Sequence, residues 1–567
     1  MALSKMHRCL RTPELLLNIF QQIRYDGGPK ELGLNQSTLA ALARTCKDFK
    51  EPALDTLWYS MDSFLPLLRC LPSHALEINV VRTERSRIRV PYPKISVRES
   101  LQSDDFSRLL YYAPRIRVFH LDQSVYATGP PDPFIDESAY ERLLSAKSTS
   151  GPLLPNIKRL TLPLAHLIGS SPIPQLIVGS QLQHLGISGT CENTIDRVNW
   201  EDFSRLLDSA NVRLSLVNLS ISLVDVYGYL TPFYVSCPTK FLSILAGSRQ
   251  LSKLDLESFR VKDAGTVAML GLVPNLRILT LNLDLERLGQ LKEAPADQLG
   301  YFCSLTQIKL ITSSAAAVCD FFSQSKSSRL EVVVIERFCR SSFWEIPELL
   351  STIARYLPCP TLRCITLCNG IDPFLTRQYN HNTSDLSFDS LKQLFCFTKL
   401  EKLCINLGAK VSLRDSDLAE ISNAWPSMRH FELYEREFSE RSKITPNGIY
   451  SFVKSLARLR HLTIRFNASG TSTYPKLPDV QHHRLRYLDV CTSDADESAP
   501  IVPFVERLFP LLEYLRWGWV YEHPQIPGSG WETRLEDEEE QIKNDDSHEC
   551  WISTFERLGL PRLKRST

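Results

Sequence analysis

A short hydrophobic pattern, L-x-x-L-x-L with apolar substitutions, recurs along most of the chain. Alternate residues of a strand point to opposite faces, so each string predicts a short strand with one buried face. A first copy starts at Ile116, and thirteen more follow from Ile157 onward, with start-to-start gaps of 25 to 38 residues among those thirteen. They start at Ile157, Leu182, Leu216, Leu251, Leu276, Leu305, Leu330, Leu362, Leu400, Met428, Leu459, Leu485 and Leu512.

Segments with apolar residues at helical spacing lie between these strings, as in 199–210, 346–357 and 447–459. Proline often separates such a segment from the next string, at Pro274, Pro358, Pro426 and Pro510. One helix–turn–strand unit cannot bury its own faces, whereas stacked units can. We therefore predict an α/β solenoid with a parallel concave sheet and helices outside, which resembles an irregular leucine-rich-repeat horseshoe over about residues 110–520. The alternative, a doubly wound α/β enzyme of the hydrolase type, lacks any G-x-G-x-x-G, G-x-x-x-x-G-K-[ST] or G-x-S-x-G motif.

The first sixty residues are unusually apolar and predict three short helices. Thr12 can cap a first helix that runs to about Ile23, a second is predicted to start at Ser37, and a third precedes Trp58. Three helices of this size leave apolar surface uncovered. That surface either docks on a partner or serves only as a cap on the downstream domain.

The strings LRTPELLLNIF, LAALARTCKDF and ALDTLW, in this order, resemble an F-box of the kind found in fungal F-box proteins. The resemblance implies docking on the adaptor subunit of an SCF-type ubiquitin ligase. The sequence departs from the family at Thr12, where leucine is usual, and in a longer loop from Arg24 to Gln36. The adaptor-binding positions that the resemblance implies are Pro13, Leu15, Leu16, Ile19, Phe20, Leu42, Cys46 and Trp58.

Composition narrows the class of protein. The chain has 567 residues, 43% of them hydrophobic and 23% charged, which is ordinary globular usage. Its 65 basic and 64 acidic residues give a net charge of +1, so no global field favours nucleic acid or an anionic membrane. No run of apolar residues is long enough to span a membrane, and no signal peptide is recognisable. The 15 scattered cysteines favour reduced thiols in a cytoplasmic or nuclear protein.

The candidate target-binding surface lies on the last repeats. There the positions that alternate with the core leucines are aromatic, histidine or charged, whereas earlier repeats carry Gly186, Ser188, Ser220, Ser222, Thr280 and Asn282. Aromatic and arginine side chains dominate protein recognition. The alternative is an ordinary solvated sheet face. The predicted residues are His430, Glu432, Tyr434, His461, Arg465, Tyr487, Asp489, Tyr514 and Arg516.

The sequence offers little chemistry for catalysis. Cys359, Cys364 and Cys368 lack the C-x-x-C spacing that zinc sites favour. His482 and His483 precede a strand without an accompanying carboxylate pattern. We expect no catalytic residue, metal or cofactor.

Together these features predict four regions: an F-box-like module over 1–60, a linking region or the first irregular repeats over 61–150, leucine-rich repeats over 151–520, and a flexible acidic tail over 521–567. The resemblance implies a non-catalytic substrate receptor that joins the adaptor, and through it cullin, to a target protein. The alternatives are a repeat scaffold outside any ligase and, less favoured, an α/β hydrolase.

Overall fold

The chain divides into two compact units, Met1–Phe259 and Arg260–Thr567. The computed structural model describes residues 12–25, 32–81, 92–98, 101–121, 134–146, 151–167, 171–190, 200–209, 211–224, 241–242, 245, 247–283, 288, 301–337, 345–358, 360–369, 385–407, 409–435, 441–475, 480–496, 499–517, 551, 554 and 557–558.

Helices in the first unit begin with a cluster of three and become sparser along the chain. They are α1 (Pro13–Tyr25), α2 (Leu32–Thr45), α3 (Lys47–Trp58), α4 (Leu65–Leu68), α5 (Ser107–Tyr112), α6 (Glu137–Ala146), α7 (Ile173–Ile177) and α8 (Trp200–Ser209).

The strands of the first unit are β1 (Ser60–Met61), β2 (Leu76–Val81), β3 (Tyr92–Val97), β4 (Val118–His120), β5 (Phe134–Ile135), β6 (Arg159–Pro163), β7 (His184–Thr190), β8 (Asn218–Val224) and β9 (Lys253–Val261). The last two residues of β9 belong to the second unit.

A parallel sheet in the order β1-β4-β6-β7-β8-β9 forms the body of the first unit. It begins at Ser60 and Met61, where the predicted F-box-like module ends and the predicted linking region begins, and a separate sheet of β2, β3 and β5 lies within that linking region. The first strand carries no L-x-x-L-x-L string, and its pairing with Val118 and Phe119 of β4 places it in the sheet.

In the second unit the helices alternate with strands over most of its length. They are α9 (Ala264–Gly271), α10 (Ala315–Gln324), α11 (Ile346–Tyr356), α12 (Phe388–Lys392), α13 (Asp415–Ala424), α14 (Pro446–Ser455) and α15 (Ile501–Leu508). The strands are β10 (Ile278–Leu283), β11 (Gln307–Thr312), β12 (Val332–Arg337), β13 (Cys364–Asn369), β14 (Leu386–Ser387), β15 (Lys402–Asn406), β16 (Val411–Ser412), β17 (His430–Leu433), β18 (His461–Thr463), β19 (Tyr487–Asp489) and β20 (Tyr514–Arg516).

Nine of these strands form one parallel sheet in sequence order, β10-β11-β12-β13-β15-β17-β18-β19-β20. Each of the fourteen predicted strings forms a strand that begins two residues after the string does. Core leucines occupy matching positions, as Leu403, Phe431, Leu462 and Leu488 show in one register across four strands. The repeats are therefore leucine-rich units of an α/β solenoid type, with the strands parallel and a helix between most of them.

Adjacent repeats are also joined at their helices. The Asp415 carboxylate at the start of α13 accepts hydrogen bonds from the Thr445 backbone N–H (2.8 Å) and hydroxyl (2.6 Å). Thr445 is in turn the N-cap of α14, where its hydroxyl accepts a hydrogen bond from Gly448 N–H. A Cβ at Gly448 would lie 2.1 Å from Asp415 Oδ1, so this contact requires glycine.

The helical boundaries at the N-terminus differ from those predicted. A single second helix was expected from Ser37 through Phe49, but α2 begins at Leu32 and ends at Thr45. Cys46 has an extended backbone (φ −154°, ψ 167°), which separates α2 from α3. The predicted loop before Gln36 is correspondingly shorter, because residues 32–36 are helical.

The predicted flexible tail also contains ordered residues. Trp551 is fully buried and donates an indole hydrogen bond to the Ser493 carbonyl at 3.0 Å, and Thr554 is buried beside it in sequence. Trp517 Nε1 donates to the same carbonyl at 3.1 Å. Gly518, Trp519 and the acidic stretch 532–549 lie outside the described residues.

Candidate functional site

Two surfaces carry the predicted binding residues, and each lies within one unit. The first is the helical module of α1, α2 and α3. Its own core consists of Leu16, Phe20, Leu39 and Ala53, all at most 2% exposed. Phe20 also packs edge-on against Phe49, with ring centroids 5.6 Å apart.

The predicted adaptor-binding residues divide into two groups around this core. Leu16 and Phe20 are enclosed by the chain itself, and Leu42 packs against them while half-buried. Leu15 and Ile19 are each 43% exposed, and their i, i+4 spacing places them on one stripe of α1. Two further residues of the predicted set, Pro13 and Cys46, are also exposed. Contact of all eight residues with an adaptor stays a prediction.

Side chains of α3 contact α5 and the turn that leads from α5 into β4. Trp58 stacks on Tyr112 at 4.4 Å with an interplanar angle of 15°. Arg115 pairs with both Glu51 and Asp55. Trp58, a predicted adaptor residue, is therefore half-buried against its own unit, which leaves the exposed stripe of α1 as the larger apolar feature of the module.

The second surface lies on β17–β20, where the strand register aligns four rings. His430, His461, Tyr487 and Tyr514 are direct partners on adjacent strands, and we call them the aromatic row. Ring centroids are 5.8 Å apart for the two histidines, 4.0 Å for His461 and Tyr487, and 6.3 Å for the two tyrosines. Burial, the main effect, lowers the pKa of both histidines, so they are neutral near pH 7. The row presents neighbouring uncharged rings, of which His461 and Tyr487 are stacked, and it ends at an exposed Tyr514.

Two residues further along each strand lies a second row, which consists of Glu432, Thr463, Asp489 and Arg516. We call it the charged row, because three of its four members are charged. Glu432 Oε1 is 3.8 Å from Lys402 Nζ and 3.9 Å from His461 Nε2, and Asp489 Oδ2 is 3.8 Å from Arg516 Nε. Burial raises the pKa of Asp489 to about 6, against the lowering influence of Arg516 and of the Cys491 N–H. These distances are too long for direct hydrogen bonds, so the oppositely charged side chains form ion pairs without a hydrogen bond between the charged groups.

The predicted target-binding residues are less exposed than a solvated sheet face would be. Glu432, Arg465 and Asp489 are buried, at 8%, 6% and 2% exposure. Arg465 lies among Glu435 Oε2 (3.8 Å), Asp494 Oδ2 (3.5 Å) and the Thr492 carbonyl, to which its Nε donates at 3.2 Å. Burial raises the pKa of the half-buried Tyr434. The face is an organised polar layer rather than a set of independent surface side chains.

Sequence reasoning missed a second line of charge, which lies immediately before these strands. Arg429, Arg460 and Arg486 each immediately precede a residue of the aromatic row, and we call them the arginine row. Arg460 N–H donates to the Arg429 carbonyl at 2.8 Å, and Arg486 N–H donates to the Arg460 carbonyl at 2.9 Å. The signal was present as R-H and R-Y within successive strings. It was overlooked because only the positions that alternate with leucine were considered.

The cysteines of β13 show no sign of a metal site. Cys364, Thr366 and Cys368 are alternate residues of β13 and so share one face of the strand. The Cys364 Sγ atom is 3.9 Å from Thr366 Oγ1. Burial, the main effect, raises the pKa of Cys368 to about 12, so that thiol is protonated. Among the described residues, no group of three or more histidine, cysteine or acidic side chains could hold a metal ion. In the same part of the chain, no helix has both the length and the apolarity to cross a membrane.

Comparisons with known proteins add a distant structural likeness. No protein-family model matches the sequence, and no curated protein matches it. Among solved structures, the crystal structure of an internalin (inlF) from Listeria monocytogenes is similar over 77% of this chain and 92% of that chain, at 12% identity and a TM-score of 0.32. The repeat architecture stands on the strand order and register described above.

Proposed function

We propose that the chain is a repeat-based interaction scaffold and, more specifically, the substrate-receptor subunit of an SCF-type ubiquitin ligase. Its role is binding rather than catalysis. The helical module would hold the adaptor, and through it cullin, and the face of β17–β20 would hold a target protein. Ubiquitin transfer would then be accelerated by proximity, because a tethered target has a high effective concentration at the conjugating enzyme.

Adaptor docking is supported by the way in which the apolar side chains of α1 divide between the core of the module and its surface. Leu16 and Phe20 hold the three helices together, while Leu15 and Ile19 present apolar surface. Exposed large aliphatic side chains on a helix that already has a packed core are typical of a docking surface. The first of the three strings that resemble an F-box lies on this same helix from Pro13 onward.

The test is affinity capture of the adaptor with a Leu15→Asp, Ile19→Asp double variant beside the wild type. We expect the variant to remain folded, because both side chains are 43% exposed, and to lose the adaptor. The matched control is Leu16→Asp, which should unfold the module because Leu16 is 1% exposed. Equal capture by the wild type and the folded double variant would contradict adaptor docking through this stripe.

The burial of Leu16 and Phe20 also favours a second reading, in which the module only caps a scaffold outside any ligase. In that case neither the wild type nor the double variant captures the adaptor, whereas the target-binding face retains its partner. Capture by that face is therefore scored in the same experiment, so that the two readings give different results.

A further inference from the structure

Basic side chains are concentrated on the turns that lead into β17–β20. Arg429 precedes β17, Arg458 and Arg460 precede β18, and Arg484 and Arg486 precede β19. The corresponding position before β20 is Glu513. Five arginines thus stand against one glutamate at one edge of four adjacent strands, although the whole chain has a net charge of only +1.

The two outer residues of the arginine row have acidic partners, whereas the middle residue, Arg460, has none among the described residues. Arg429 Nε is 3.1 Å from Glu401 Oε2, and Arg486 Nε is 3.3 Å from Glu513 Oε1. Arg460 lies between them and is exposed, and no carboxylate of the described residues lies within 4.0 Å of its guanidinium. Adjacent strands are about 4.8 Å apart, so Arg460 has an arginine on each side at that spacing.

Glu401 contacts a second arginine, Arg363, so its negative charge only partly balances the positive charge of Arg429. Its Oε1 accepts a hydrogen bond from Arg363 Nη1 at 3.0 Å while Oε2 faces Arg429. Arg429 and Arg460 directly precede His430 and His461 of the aromatic row in the sequence. Positive charge and neutral rings therefore meet at one place.

Apolar surface adjoins the same arginines. Leu511 is 44% exposed, and its carbonyl accepts a hydrogen bond from Arg486 Nη1 at 2.7 Å. Tyr514 is 42% exposed and ends the aromatic row. A ligand that satisfies Arg460 thus has an exposed leucine and an exposed tyrosine ring at β20, two strands from β18, which is about 10 Å at strand spacing.

We propose that the arginine row, with Leu511 and Tyr514, binds an acidic segment of a partner protein that carries a large apolar residue beside its carboxylates. This inference rests on the proposed role of the β17–β20 face in target binding, and names the chemistry of the target. Guanidinium groups pair with carboxylates in bidentate geometry, which suits rows of arginine at strand spacing. The apolar residue would cover Leu511 and Tyr514, where aromatic surface contributes most to binding.

The test is fluorescence anisotropy with the full chain and three labelled dodecapeptides. The first alternates glutamate with a central Leu-Phe pair, the second replaces that pair by Gly-Ser, and the third replaces glutamate by phosphoserine. We expect the first to bind, the second to bind at least about 10-fold more weakly, and both affinities to fall with added salt.

The variant is Arg460→Glu, and the matched control is Arg329→Glu. Arg329 is exposed and occupies the turn before β12, where the sequence continues Leu330-Glu331 instead of Leu-Arg. We expect Arg460→Glu to weaken binding of the first peptide at least about 10-fold and Arg329→Glu to leave it unchanged. Circular dichroism checks that both variants fold.

Three outcomes overturn the inference: equal binding by Arg460→Glu and wild type, binding that salt does not weaken, or binding of the phosphoserine peptide alone. A second background with Glu536–Glu540 replaced by glutamine removes competition from the acidic stretch of the chain itself. Adaptor capture by Leu15 and Ile19 does not depend on Arg460. Failure of the ligase role therefore leaves this result readable, and failure here leaves adaptor docking standing.

Discussion

The sheet faces of β6–β8 and of β17–β20 have the same backbone plan and different side chains. Gly186, Ser188, Ser220 and Ser222 occupy the first face, and the aromatic and charged rows occupy the second. The core positions are alike: Leu219 and Leu462 are both fully buried. The comparison teaches that the leucines set strand position, while the alternate positions are free to differ between repeats.

The largest effect should come from the feature that the two regions share. Leu219→Ala and Leu462→Ala each remove a fully buried side chain from the centre of a strand. We expect each to lower the free energy of unfolding by about 2–5 kcal/mol, through lost burial and a residual cavity. Urea unfolding followed by circular dichroism measures both. A cost below about 1 kcal/mol at either site would show that the two cores are not equivalent.

The next effect belongs to the second region alone. The pKa of Asp489 is about 6 in the folded protein, above its ordinary value of 3.8. Between those values the folded state binds more protons than the unfolded state, so stability falls as pH rises and the penalty is complete above about pH 6. Asp489→Asn removes the penalty and should raise stability at pH 7 by up to about 3 kcal/mol, since one pKa unit corresponds to about 1.4 kcal/mol.

Asp208→Asn supplies the control for that measurement. Asp208 is an exposed residue in the first unit that pairs with Arg213 at 3.3 Å. A surface pair of this kind is worth at most about 1 kcal/mol, so its replacement should change little. If Asp489→Asn lowers stability at pH 7, the buried carboxylate is a structural requirement and not a cost retained for binding.

The strand plan and the site differed in how far sequence could predict them. The fourteen L-x-x-L-x-L strings predicted their strands because burial of alternate leucines has a clear period. β1 has two residues and is held by pairing with β4, a long-range contact that leaves no local pattern. The site residues were predicted to share a binding face, but the burial of Arg465, just beyond the end of β18, depends on Glu435 and Asp494 of the neighbouring repeats. Trp551 was missed for the same reason, because its partner Ser493 is 58 residues away.

Acidification should next weaken the second region through a buried histidine. His482 is 5% exposed; its Nδ1 accepts from Leu485 N–H at 3.1 Å, and its Nε2 lies 2.9 Å from the Leu456 carbonyl. Burial lowers its pKa, so the neutral ring is required and stability is lost as pH falls below about 6.5.

His482→Phe should remove both hydrogen bonds and lower stability at pH 7.5 by about 1–3 kcal/mol. The difference from wild type should narrow as pH falls below 6.5, because only the wild type then loses stability through this ring. Chemical denaturation at pH 7.5, 6.5 and 5.5 measures it. Replacement of the exposed neighbour, His483→Ala, should leave the curves unchanged, and a constant difference across pH for His482→Phe would contradict this account.

The smallest effect on stability and the sharpest on binding should come from the aromatic row. Tyr487 stacks between His461 and Tyr514, and such aromatic pairs are worth about 0.5–1.5 kcal/mol beyond their burial. Tyr487→Ala with Tyr514→Ala should therefore leave the protein folded while it loses its target. Ser220→Ala with Ser222→Ala is the matched pair on the first region and should retain the target. Because both pairs occupy the same kind of strand position, loss of capture in both would make the faces functionally alike, and retention in both would move the binding surface off β17–β20.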